Sequence, residues 1–217
     1  MKIGKRYDGI YYYPFRCKGS VNSVNIPIFF SFRVKHIENN SIIADRFSPP
    51  GVESVLSGKE IFLLKEITDN GDIILLKATV IEFSKGKAKI EVNTKEKFKE
   101  NRSFDRYSFC PEHLGPFEIL STRKERLGDA YINNLSLSGA ELFTLTIPSS
   151  LINVGDTLLI SQDNRMIKLQ VLRKRENEAR HILFFAGKII ETNFNLMSYL
   201  IHNYIKVVKA ILKLHET

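Results

Sequence analysis

The run Asp129-Ala-Tyr-Ile-Asn-Asn-Leu-Ser-Leu-Ser-Gly-Ala-Glu-Leu-Phe-Thr-Leu145 holds two strand-like segments around a short polar break. Asp129 to Ser136 and Ala140 to Leu145 are rich in β-branched, aromatic and aliphatic residues, and Gly139 punctuates them. Side chains alternate along a strand, so Asn134 and Ser136 are expected on one face. Leu135 and Leu137 are then expected on the other, directed at a core. Gly139 permits either a left-handed backbone or the close approach of another group, options closed to a residue with a Cβ.

Working outward, the same pattern repeats. Downstream candidates are Asp156 to Ser161, Met166 to Arg173 and His181 to Glu191, and Phe117 to Ser121 lies upstream, with turns at Asn153-Val-Gly-Asp156 and Gln162-Asp-Asn164. Six strands with short connections and no crossover helices predict an antiparallel barrel. The amino-terminal half reads likewise: Gly9 to Tyr13, Asn25 to Ile37, Ser41 to Phe47, Glu60 to Ile67, Asp72 to Phe83 and Lys87 to Val92. Asn39-Asn40, Ser48-Pro-Pro-Gly51, Asp69-Asn-Gly-Asp72 and Ser84-Lys-Gly86 separate them. The near-absence of apolar residues in Asn93-Thr-Lys-Glu-Lys-Phe-Lys-Glu-Asn101 predicts a connector. The expected organisation is therefore mainly β: a barrel domain over 1–95 and a second antiparallel barrel over 96–217 that ends in an α-helix. That helix is expected after Asn193 as N-cap, because Leu196, Met197, Leu200, Ile201, Tyr204, Ile205, Val208, Ile211 and Leu212 recur at spacings of three and four. Lys206, Lys209 and Lys213 lie on its other side, and packing of the apolar stripe on a barrel or a partner helix is expected.

The 217 residues are 43% apolar and 26% charged, enough apolar material for two modest cores. The net charge of +8 favours an anionic partner. It is spread evenly, with 14 Lys and Arg against 10 Asp and Glu in residues 1–93 and 18 against 14 in 94–217. Cys17 and Cys110 lie far apart in sequence, which supports neither a disulfide framework nor paired zinc ligands and suits a reducing cytoplasm. No apolar run reaches the length of a membrane span or a signal peptide, so a soluble, unsecreted protein is expected.

Two polar motifs stand in fixed order. Arg102-Ser-Phe-Asp-Arg106 is followed by Asn134-Leu-Ser136-Leu-Ser-Gly139. The arginine pair alone arises readily by chance and Asn-x-Ser-x-x-Gly more rarely; the ordered pair, in a β-rich segment and beside the polar connector, is what distinguishes this chain. Arg suits anion and guanine binding, since its planar guanidinium pairs bidentately with phosphate oxygens or with guanine O6 and N7 and also stacks on bases. Arg-x-x-x-Arg followed by Asn-x-Ser-x-x-Gly resembles the signature of PilZ domains, which bind the bacterial second messenger cyclic di-GMP. The likeness covers roughly residues 100–210, and the all-β first half resembles the companion domain of flagellar-brake receptors. Asn101 stands where many members carry a further Arg.

The resemblance implies a six-stranded PilZ barrel with a C-terminal helix and a ligand site made of Arg102, Arg106, Asn134, Ser136 and Gly139. The arginines would lie on a flexible segment wrapping the ligand, and Asn134 would bind guanine. It implies a cytoplasmic receptor with no cofactor, a monomer or homodimer. Ligand binding would reorient the domains toward a protein partner such as a flagellar motor or a biosynthetic complex. Two other readings fit the same residues: a β-barrel binding single-stranded nucleic acid through charge and aromatic stacking, and a PilZ-like interaction module without ligand. Catalysis is not expected. His36, His113, His181, His202 and His215 show no metal-ligand spacing, no phosphate loop or nucleophile elbow occurs, and the nearness of Cys110 to His113 reads as coincidence.

Overall fold

A computed structural model describes residues 1–18, 23–67, 73–100 and 106–215. The first barrel is built from β1 (Arg6–Arg16), β2 (Ser23–Glu38), β3 (Ser41–Ser48), β4 (Glu60–Ile67), β5 (Ile73–Ser84) and β6 (Lys87–Glu100). These close in the order β1-β2-β3-β6-β5-β4. Phe30, Phe32 and Phe47 fill part of its interior, with ring centroids 5.7 to 6.5 Å apart. A short helix, α1 (Val52–Leu56), links β3 to β4 and buries Val52, Val55 and Leu56.

The polar run expected to be a connector is strand. β6 continues to Glu100, and its last residues pair with β5 from Ile73↔Glu100 to Leu76↔Lys97. Backbone hydrogen bonding to β5 sustains a strand there without the apolar alternation that a half-buried strand would show.

The second barrel begins with β7 (Tyr107–Ser108), followed by α2 (Pro111–Leu114), β8 (Phe117–Leu120) and β9 (Arg126–Leu135). It continues through β10 (Gly139–Thr144), β11 (Thr157–Gln162), β12 (Arg165–Asn177) and β13 (Ile182–Thr192) to α3 (Leu196–Lys213). The sheet order is β10-β13-β12-β11-β8-β9, and the β9–β10 hairpin closes it into a six-stranded antiparallel barrel with β7 added on β9. Two closed barrels and a terminal helix are thus the architecture expected from the strand pattern. Ile119, Ile132, Leu135, Leu142, Leu169 and Phe185 are among its buried core.

By internal contacts the chain divides into two units. One comprises 1–13, 27–103 and 207–217, and the other comprises 14–26 and 104–206. In the second unit, Cys17 is joined to Cys110 by a disulfide, and both are buried. This corrects the reading of two unrelated cysteines. Ninety-three residues separate them in sequence, but β-barrel closure makes sequence distance a poor guide to spatial distance, and the Cα atoms are 5.4 Å apart. The argument that separate cysteines made for a reducing compartment therefore lapses.

Asn193 does not cap α3. Its Oδ1 accepts from Met166 N at 2.7 Å and its Nδ2 donates to Asn164 O, so it ties β13 to the β11–β12 turn. Asn195 caps instead, accepting from Ser198 N at 2.9 Å. The apolar stripe also divides: Leu196, Leu200, Val208, Ile211 and Leu212 are buried, whereas Met197, Ile201 and Ile205 are exposed.

Candidate functional site

β7 places Arg106 beside the second motif. Tyr107 pairs with Leu135 and Ser108 with Asn134, and Phe109 N donates to Asn133 O at 2.9 Å. Phe109 and Cys110 are buried, and the Tyr107 ring rests against Tyr204 of α3 with centroids 4.9 Å apart. Arg106 itself is exposed at the head of this anchored segment. Arg102, Asn101 and the turn at 69–72 lie outside the described residues.

Arg106, Asn134 and Gly139 line one cleft of about 260 Å3, together with Glu141, Arg173 and Gly187. Strand register explains the grouping. Glu141 pairs with Asn134 on β9 and with Ala186 on β13, and Arg173 of β12 pairs with Ala186, so Asn134, Glu141 and Arg173 fall in one row across four strands. Leu135, next to Asn134, is fully buried, as the alternation predicts.

Glu141 organises the row. Its Oε2 accepts from Asn134 Nδ2 at 2.6 Å and from Asn133 Nδ2 at 3.2 Å, while Arg173 Nη2 lies 3.6 Å from Oε1. A carboxylate only accepts, so the Asn134 amide must turn its Nδ2 toward it. The Asn134 Oδ1 is thereby set as an acceptor on the other side of the amide.

Ser136 is not beside Asn134 on a strand face. β9 ends at Leu135, and the Ser136 side chain turns inward, leaving the residue 3% exposed. Its hydroxyl donates to Gly139 O and accepts from Gly139 N, each at 3.1 Å, and Ser136 N donates to Gly139 O at 2.9 Å. The serine staples the turn between β9 and β10, because a short hydroxyl side chain competes well for nearby backbone groups. Gly139 needs no left-handed backbone. A Cβ there would sit 2.8 Å from the carbonyl oxygen of Gly187, so the residue is small because strand β13 passes close by.

Sequence reasoning missed Glu141, Arg173 and Gly187. Glu141 was detectable, since it stands two residues after Gly139 and so shares its strand face. Arg173 required the β12–β13 register. Among the described residues, Cys17, Cys110 and Glu112 are grouped as potential metal ligands, but the sulfurs are covalently joined and Glu112 accepts from Lys18 N at 2.9 Å. Cys110 and His113 form a local cap: His113 Nδ1 accepts from Cys110 N at 3.0 Å, and burial lowers the imidazole pKa against a smaller opposing pull from Glu112.

No family model and no curated protein match the chain. Solved structures that match include the Bacillus subtilis inhibitor of motility MotI/DgrA, at 11% identity over 97% of this chain and 99% of that one, with TM-score 0.38. Escherichia coli YcgR in complex with c-di-GMP matches at 12% identity over 96% and 86%, with TM-score 0.37. Borreliella burgdorferi PlzA in complex with c-di-GMP matches at 13% over 91% and 86%, with TM-score 0.33. Two of the three, YcgR and PlzA, are complexes with c-di-GMP. With identities below 25% and TM-scores below 0.5, they carry no weight in the assignment of a ligand.

Proposed function

We propose that the chain is a cyclic di-GMP receptor and not an enzyme, binding its ligand in the cleft headed by Arg106. The observation behind this reading is that Arg106, Asn134 and Gly139, drawn from two motifs about thirty residues apart, line the same cleft. The Arg106 guanidinium supplies a fork for phosphate or for guanine O6 and N7. Asn134 Oδ1, oriented by Glu141, accepts from the guanine N2 amino group. Arg102 joins them by its place in the motif, and Ser136 acts indirectly by holding the turn that presents Asn134.

The arginine motif lies in sequence between the two barrels, so ligand contacts there are suited to change the relation between them and so to control a protein partner. A flagellar motor or a biosynthetic complex is the kind of partner meant, and a cytoplasmic location goes with this reading. The test is calorimetric titration of the full chain with cyclic di-GMP, GMP, GTP and a single-stranded oligonucleotide, followed by a size measurement with and without ligand. Saturable binding of cyclic di-GMP alone is expected. Tighter binding of the oligonucleotide with steep salt dependence would replace this reading with that of a nucleic-acid-binding barrel. No binding of any probe would leave a PilZ-like interaction module.

A further inference from the structure

A second cleft of about 270 Å3 adjoins the first and shares Glu141, Arg173 and Ala186 with it. Its own residues are Lys174, Arg175, Phe184 and Phe185. The register that aligns Asn134, Glu141 and Arg173 aligns a parallel row two residues further along. Phe143 pairs with Tyr131 on β9 and with Phe184 on β13, and Arg175 of β12 pairs with Phe184. The rings follow that register: Tyr131 stacks on Phe143 at 5.5 Å, Phe143 lies 5.9 Å from Phe184, and the Arg175 guanidinium sits 4.3 Å above the Phe184 centroid. Lys174 faces elsewhere, its Nζ donating to Ser149 O and Ile152 O at 2.9 and 2.8 Å. The cations presented to the groove are therefore arginines.

The first cleft is small for the proposed ligand, since sites for molecules of drug size run to roughly 300–1,000 Å3. Cyclic di-GMP also has two guanines and two phosphates, and the motif residues form only one cluster. Resting on the reading above, we infer that the second cleft holds the other guanylate half of the ligand, with Arg173 and Arg175 as binding residues outside the motifs. Arg173, with its side chain 68% exposed, stands at the junction of the two clefts, where a phosphate linking the halves would lie. The Arg175 guanidinium carbon is held 4.3 Å from the Phe184 centroid, and a guanidinium also stacks on a guanine base. Glu141, 16% exposed, lies 3.6 Å from Arg173 Nη2 through Oε1 and accepts from two amides through Oε2, so it positions Arg173 at that junction.

The test is calorimetry of cyclic di-GMP against the full-length protein and its Arg106→Ala, Arg173→Ala, Arg175→Ala and Arg175→Lys variants. Lys87→Ala in the first barrel is a charge control, and each variant's melting temperature verifies folding. Arg173→Ala and Arg175→Ala are each expected to weaken binding at least fivefold, in line with a bidentate or stacked contact. Arg175→Lys, which keeps the charge and loses the plane, should not restore it. If Arg106→Ala weakens binding while Arg173→Ala and Arg175→Ala stay within twofold of the parent, the second cleft is not a ligand site, although the receptor reading stands. An equal loss in Lys87→Ala would reduce the arginine effect to general charge and overturn the inference. Failure of the parent protein to bind cyclic di-GMP would overturn the receptor reading itself.

Discussion

Arg106 is exposed, yet the residues that follow it are fixed by strand pairing, a buried Phe109 and a disulfide. Its guanidinium therefore starts from an anchored backbone, and less order has to be gained on binding than at a free loop arginine. Arg106→Ala is expected to weaken cyclic di-GMP binding at least tenfold in calorimetry, with no change in the parent melting temperature. Arg102→Ala should act in the same direction through its place in the motif. His113 couples its protonation to the fold. Burial disfavours its protonated form, and its Nδ1 must stay unprotonated to accept from Cys110 N. Its folded pKa lies below the ordinary value of 6.5, so below that pH the unfolded chain binds more protons than the native one. Stability should fall as pH drops through the ordinary value of 6.5 in denaturant titrations, and His113→Asn, which keeps an acceptor, should flatten that part of the slope.

Among the elements, β4 occupies Glu60–Ile67, the span that its Ile, Phe and Leu pattern marks out, and most other barrel strands lie within a few residues of their apolar bursts. Strands written into an alternating apolar pattern were legible; those defined by backbone pairing without such a pattern were not. The far end of β6 and two-residue β7 belong to the second kind, and so does the cap of α3, where Asn193 and Asn195 are chemically equal and only the Met166 amide separates them. The site divides similarly. Asn134 and Gly139 are readable as a motif, whereas Arg173 and Arg175 enter through the register of β12 against β13. The disulfide between the end of β1 and α2 was the least legible element of all. It closes a loop of 93 residues, so reduction, or Cys17→Ser with Cys110→Ser, should cost about 2–5 kcal/mol in equilibrium unfolding, a cost visible as a lower denaturant midpoint for the full chain.

At the scale of the whole molecule, the two units are not consecutive stretches of chain. Residues 14–26 belong with 104–206, and 207–217 belong with the first unit, so no single cut yields two complete units. A fragment of 104–217 lacks the segment that carries Cys17 and is expected to melt well below the full chain by circular dichroism. A chain cut at residue 104 and co-expressed as two pieces should recover part of that loss, because the missing segment is again present. An equal melting temperature for the isolated fragment would show that 14–26 contributes nothing to its unit. The same placement sets a clock for biosynthesis. Residue 110 follows 93 residues after Cys17, which at about 5–20 residues per second is a wait of roughly 5–20 s. Throughout that interval Cys17 carries an unbonded thiol, so the oxidant present when Cys110 emerges decides whether the bond between them forms.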